Sequence, residues 1–217
     1  MRLTTAIFDM DGLLIDSERL LISEWLAAAH RREIPLTADQ LIPSIGLIGQ
    51  ACEDLLAAAV GGHDVALSIR DEIHLRYAQG SLRPDLRPGA RELLNRLHGA
   101  DIRCAVASSS PVAHVEHRLG QHDLLRFLRS WAGGDEVPRS KPEPDVYLLA
   151  AERLKVQPQE CLAFEDSDHG AEAALAAGMQ VVLVPDLKTP SLHLTQRCLR
   201  VSASLHDLGD WTLDRIG

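Results

Sequence analysis

Short apolar runs that end abruptly in polar residues set the rhythm of this chain. Leu3 to Phe8, Cys104 to Ala107, Cys161 to Phe164 and Gln180 to Val184 are apolar with little alternation, as strands covered on both faces are. Phe127 to Ala132 reads as a further strand. Helical stretches fall between them, near Ala90 to His98, Val112 to Leu119, Val146 to Leu154 and Ala171 to Ala177, the last closed by Gly178. Strands alternating with helices predict an α/β fold with a doubly wound parallel sheet, and right-handed crossovers place helices on both faces. A stretch of different texture interrupts this alternation. Glu18 to His30, Gln50 to Val60 and Val65 to Gln79 suit amphipathic helices, divided at Pro35, Pro43 with Gly46, and Gly61-Gly62. Pro84 and Pro88-Gly89 mark the return. The expected organisation is an α/β core of residues 1–15 and 82–217 with a helical insertion over 16–81.

Composition permits such a fold: 217 residues, 46% hydrophobic, can bury a sizeable core. A net charge of -9 argues against nonspecific nucleic-acid or anionic-membrane binding, so any phosphate is drawn by local charge. No apolar run approaches bilayer-spanning length, and Asp9 and Asp11 interrupt any signal-peptide core. Cys52, Cys104, Cys161 and Cys198 are far apart and read as reduced residues, which predicts a cytoplasmic protein. A monomer is expected.

Candidate chemistry sits where the apolar runs stop. The first ends in Asp9-Met10-Asp11-Gly12, two carboxylates able to share a site at a strand's carboxyl end, where open α/β sheets bind ligands. Such oxygens suit Mg²⁺, which takes one or two carboxylates plus water and substrate phosphate. An ordinary Asp-Gly turn would account for the pair taken alone. The second run ends in Ser108-Ser109-Ser110-Pro111, where a hydroxyl and main-chain amides precede a helix and can hold phosphate oxygens, or merely cap that helix. Lys141, in the proline-stiffened loop Arg139 to Asp145, offers an ammonium to phosphate, or is a solvated loop lysine. The fourth segment, Glu165-Asp166-Ser167-Asp168, begins its acids at the strand's last residue. Complementing a helix dipole accounts for Asp168 but not for that placement. His114 and His117 read as a solvated helix face, and His169 as a surface residue.

In this order the four segments resemble the haloacid dehalogenase-like hydrolase superfamily: Phe8-Asp9-Met10-Asp11-Gly12, Ala107-Ser108-Ser109, Ser140-Lys141-Pro142-Glu143-Pro144-Asp145 and Phe164-Glu165-Asp166-Ser167, within a resemblance spanning Leu3 to about Pro185. The resemblance implies a Rossmann-like core and makes the insertion a mobile helical cap that chooses substrates. It also implies an Mg²⁺-dependent phosphatase for a small phosphorylated metabolite, with a sugar or polyol phosphate the expected class.

Asp9 would be the nucleophile, forming an aspartyl-phosphate, and Asp11 would protonate the departing alkoxide and then activate water. Ser108, the amide of Ser109 and Lys141 would hold the phosphoryl oxygens. Mg²⁺ would take the Asp9 carboxylate, the Asp11 carbonyl and Asp166, with Glu165 a ligand or a partner behind the ligands. Dehalogenation is disfavoured because dehalogenases of the family lack the second aspartate, and phosphonate hydrolysis because Glu18 to Gln79 contains no lysine. A β-phosphoglucomutase-like mutase is the nearest alternative. It is disfavoured because Asp16 to Ser23 lacks the cap-side histidine of those enzymes. A non-catalytic phosphometabolite-binding module is disfavoured by the complete acidic and basic set. Ile48 follows Gly46-Leu47 where related phosphatases often carry a basic residue, which weakens a hexose-phosphate assignment. Arg19, Arg31, Arg32, Arg70 and Arg76 are candidate cap contacts or exposed helix faces.

Overall fold

The structure, a computed structural model, describes residues 2–47 and 49–216. Ile48, on which the expectation about a basic residue falls, lies outside them. Six strands, β1 (Thr5–Phe8), β2 (Arg103–Ala107), β3 (Ser130–Ala132), β4 (Cys161–Glu165), β5 (Gln180–Leu183) and β6 (Arg200–Val201), form one sheet in the order β3-β2-β1-β4-β5-β6. Every pairing is parallel. The chain moves outward from β1 through β2 to β3, then returns to the other side of β1 for β4, β5 and β6. The order therefore reverses between β1 and β4, the position at which doubly wound sheets open a ligand crevice.

Two compact units divide the chain, Met1–Asp16 with Asp85–Gly217, and Ser17–Pro84. The second contains α1 (Ser17–Arg31), α2 (Ala38–Leu41), α3 (Gln50–Val60) and α4 (His63–Ala78). Its own core is built on Trp25, Ala28, Leu41, Ala57, Ile69 and Ile73. Gly61, at φ 91, closes α3 in a left-handed turn that a side chain would strain. Arg31 and Arg32 pair with Glu72, Arg70 with Glu53, and Arg76 with Glu24, so these four arginines serve the unit's own helices.

The sheet unit adds α5 (Ala90–Gly99), α6 (Val112–Gln121), α7 (Asp145–Leu154), α8 (Asp168–Ala176), α9 (Leu192–Thr195) and α10 (Gly209–Leu213). Alternate strand residues feed opposite faces of the sheet. Ala6, Phe8, Cys104, Val106, Leu162 and Phe164 pack on one side with Leu93, Leu94 and Leu97 of α5. Each of those leucines, at most 2% exposed, contributes about 2 kcal/mol by leaving water. Phe8 stacks on Phe164 at 4.6 Å between ring centres, locking β1 to β4 beside the site. The other side is lined by Ala105, Ala107 and Ala163, small residues against which α7 and α8 lie through Tyr147, Ala150, Ala171 and Ala174.

Some expected boundaries move. The expected strand from Phe127 shrinks to Ser130–Ala132, because Leu125–Phe127 coils into a 3₁₀ turn and the pairing with β2 begins only at Ser130. The last helix of the fourth segment starts at Asp168 rather than Ala171, since the Ser167 hydroxyl accepts from the Gly170 amide at 3.1 Å and caps it early. Trp25 is buried among the helices, and Trp131 and Trp211 are only partly buried at the margin of the sheet core. The segments on either side of residues 17–84 pair with each other. Ile15 bridges Leu86 antiparallel, the Asp16 amide donates to the Asp85 carbonyl at 2.8 Å, and the Arg87 amide to the Leu14 carbonyl at 2.9 Å.

Candidate active site

Strand register performs the first step of assembly. Phe8 lies level with Val106 of β2 and Phe164 of β4, so Asp9, Ala107 and Glu165 emerge side by side at the carboxyl ends of three adjacent strands. The Asp9 amide donates to the Phe164 carbonyl at 2.9 Å, so the backbone is still held where the nucleophile candidate leaves the sheet. Lys141 arrives from the loop before α7. Its Nζ donates to Asp9 Oδ1 at 2.5 Å, Glu165 Oε1 at 2.7 Å and the Ala107 carbonyl at 3.1 Å. Three ammonium protons thus meet one acceptor from each strand end. The Lys141 side chain is 7% exposed, so it is not a solvated loop lysine.

Glu165 is fully buried, and both of its oxygens are occupied. Oε1 accepts from Lys141 and from the Tyr147 hydroxyl, each at 2.7 Å. Oε2 accepts from the amides of Asp166 and Ser167 and from the Ser167 hydroxyl, at 3.1, 3.3 and 3.2 Å. Gly170 makes room for it: a Cβ there would stand 1.8 Å from Oε1. Gly12 does the same for Asp166, whose Oδ2 would lie 2.1 Å from an added Cβ, and its φ of +85° already favours glycine.

Burial pushes the Asp9 carboxyl well above the ordinary carboxylate range, with Lys141 opposing and Glu165 reinforcing the rise. Burial also pulls the Lys141 ammonium down. The carboxylates of Asp9 and Glu165 outweigh it and leave its pKa above that of a free lysine. Tyr147 is raised well above a free phenol by burial and by the carboxylates around it, so its hydroxyl remains a donor. Ligand oxygens of Asp9, Glu165 and Asp166 lie within 4.8 Å of one another. Three buried carboxylates against one ammonium form an all-oxygen set with excess negative charge, the donor chemistry that a hard divalent cation fits.

Asp11 stands more open, its side chain 28% exposed, and is held from the β2–α6 segment. Ser110 Oγ donates to Oδ2 at 2.8 Å and Arg118 to Oδ1 at 2.5 Å. Ser108 is buried, and its Oγ accepts from the Ser110 amide at 3.0 Å, while Ser109 is exposed. His114 and His117 lie exposed on α6, and His169 on α8. Sequence reasoning gave no role to Tyr147, Ser110 or Arg118. Tyr147 carries no motif of its own. Ser110 was visible within the serine run, and Arg118 follows Val115 by three on a helix whose Val115 and Leu119 face the core, which placed it near the buried side without naming its partner.

Within the helical unit, a cavity of about 160 Å³ is lined by Leu21, Ile22, Trp25, Leu47 and Leu56, with Glu18 among its polar groups. Among the described residues, no helix is long and apolar enough to cross a membrane.

Acids and a lysine are thus brought together at the reversal point of a doubly wound α/β sheet. Residues 3–178 match the haloacid dehalogenase-like hydrolases, and the chain belongs to that family. It is 34% identical over 223 residues to "Probable pseudouridine-5'-phosphatase" of Drosophila melanogaster, covering 95% of this chain and 91% of that one. It is 33% identical over 177 residues to a phosphorylated carbohydrates phosphatase of Thermotoga maritima, covering 80% and 81%. A haloacid dehalogenase family hydrolase of Deinococcus radiodurans, solved with bound phosphate and sodium, superposes with a TM-score of 0.81 at 26% identity, covering 98% of this chain and 96% of that one. The chain is thus an enzyme of phosphatase type within this family.

Proposed function

We propose that this protein is a magnesium-dependent phosphomonoesterase that hydrolyses a small phosphorylated sugar or polyol through a phosphorylated Asp9. The observation that carries the reading is the Lys141 ammonium joined at once to Asp9, Glu165 and the Ala107 carbonyl, which binds the ends of three strands into one charged cluster. The names of the relatives from Drosophila and Thermotoga, enzymes of a nucleoside-type phosphate and of phosphorylated carbohydrates, support the substrate class.

In the first half of the reaction, Asp9 attacks phosphorus and the bond to the ester oxygen breaks. Asp11 delivers its proton to that leaving oxygen. In the second half, Asp11 takes a proton from water as the water attacks the phosphoryl group and frees Asp9. Ser108, the Ser109 amide and Lys141 hold the equatorial oxygens, where negative charge is spread in the transition state. Asp9, Asp166 and the Asp11 carbonyl would hold Mg²⁺, which when bound offsets the repulsion between carboxylate and phosphate. Glu165 stands behind them. Its five donors leave it to support Lys141 rather than to ligate the ion. The helical unit, residues 17–84, would choose the leaving group. Four free cysteines, two of them buried, fit a cytoplasmic enzyme.

Phosphate release from a panel of sugar, polyol and nucleoside monophosphates, with and without Mg²⁺, tests the reading. Turnover that requires Mg²⁺ and traps acid-stable phosphate on Asp9 is expected. Equal turnover with excess chelator, or full activity in Asp9→Asn, would overturn it. Adding glucose 1-phosphate and measuring glucose 6-phosphate tests the mutase alternative.

A further inference from the structure

We propose that Arg118, acting with Ser110, is a positioning residue that fixes the Asp11 carboxyl relative to the Ser108 phosphate-binding turn. The inference rests on the acid role given to Asp11 above. Asp11 follows β1, whereas Ser110 comes from the segment linking β2 to α6 and Arg118 from α6 itself. Ser110 ties two parts of the site together by itself, its amide donating to Ser108 Oγ at 3.0 Å and its hydroxyl to Asp11 Oδ2 at 2.8 Å. Because Ser108 Oγ already accepts that amide, its own proton is left to point elsewhere, toward an incoming phosphoryl oxygen. Arg118 closes the other end, at 2.5 Å from Asp11 Oδ1.

Asp11 stands on a loop with its side chain 28% exposed, so each bond to its carboxyl narrows the rotamers it samples. A general acid must stand within hydrogen-bond reach of the oxygen it protonates, and a misplacement of about 1 Å costs on the order of a hundredfold in rate. The Arg118 guanidinium reaches Asp11 from a side chain only 19% exposed. As a fixed fork on a helix anchored by Val115 and Leu119, it holds an angle that a flexible ammonium would hold less well.

The test compares kcat/KM for an alkyl phosphate, whose leaving oxygen needs a proton, with that for p-nitrophenyl phosphate, whose leaving group does not. This ratio reports phosphoryl transfer to Asp9 alone, before water enters. Arg118→Ala is expected to lower the alkyl value by about 10- to 100-fold and the aryl value by less than about 3-fold. Arg118→Lys should recover part of the loss, and Ser110→Ala should give a smaller loss with the same selectivity. In an Asp11→Asn background, Arg118→Ala should cost nothing further, because the group it places has lost its proton. Equal losses on both esters, no loss, or a full additional loss in the Asp11→Asn background would overturn the inference. If Asp11→Asn itself spares the alkyl ester, the acid role fails. If Asp11→Asn is selective but Arg118→Ala is not, only the placement by Arg118 fails. Should Arg118→Ala fail to fold, Ser110→Ala carries the same readout.

Discussion

Replacing Glu165 by glutamine separates a supporting carboxylate from a metal ligand. The substitution preserves shape and removes one acceptor oxygen from a fully buried group that meets five donors. In one orientation the new NH₂ faces the amides of Asp166 and Ser167, which then lose their acceptor. In the other it faces the Lys141 ammonium and the Tyr147 hydroxyl. Losing the acceptor for two buried donors costs about 1–3 kcal/mol each, and the weakened pairing of Lys141 brings the total to about 4 kcal/mol. For a chain of this size, about 2–4 °C is lost per kcal/mol, so the metal-free sheet unit should melt about 10 °C lower. Thermal unfolding followed by circular dichroism, without and with saturating MgCl₂, makes the measurement. Glu165→Gln should melt early in both conditions yet still gain stability on adding Mg²⁺. Asp166→Asn should melt near the parent without metal and lose that gain. If Glu165→Gln melts within about 2 °C of the parent and its Mg²⁺-induced gain vanishes, the support argument is refuted and Glu165 is a ligand.

Three further outcomes follow from the same contacts. Asp9→Asn should reduce turnover by at least about four orders of magnitude while Mg²⁺ still shifts the melting temperature through Asp166, checked by phosphate release and calorimetry. Gly170→Ala forces a methyl to within 1.8 Å of Glu165 Oε1 and should destabilise the sheet unit by about 3 kcal/mol, measured by urea unfolding; a neutral result would show that Glu165 can shift. Burial pushes the thiols of Cys104 and Cys161 up to about 12. The folded state therefore keeps protons that the unfolded chain releases above about pH 8.5, and stability should fall as pH rises from there toward 11. Urea unfolding across that range should show a shallower fall in the Cys104→Ala, Cys161→Ala double variant.

The strands around the site were legible because burial on both faces leaves an unbroken apolar run, and each run ended where its acid or serine begins. Asp9, Ser108 and Glu165 were therefore placed at strand ends before any register was known. Lys141 was legible as a candidate only through its proline-rich surroundings. That it spans three strand ends is a consequence of pairing Phe8 with both Val106 and Phe164, which no local pattern encodes. β6 escaped notice because Arg200–Val201 is too short to carry a period, and Phe127 and Leu128 mimicked a strand start because both are apolar and buried in the core, although Phe127 ends a 3₁₀ turn. Tyr147 and Arg118 were missed for a related reason. Their importance lies in what they touch across the fold, at Glu165 and Asp11, and a single sequence shows neither contact.

The paired segments at Ile15–Leu86 and Asp16–Asp85 give the chain a zipped doorway through which residues 17–84 leave and return. Since the two door-posts bond to each other, the sheet unit has no need of the intervening helices to close its own backbone there. A short turn joining Asp16 to Asp85 should complete a hairpin in their place. The helical cassette can therefore be exchanged for another of any length whose ends meet, while the backbone pairing that closes the sheet unit stays intact.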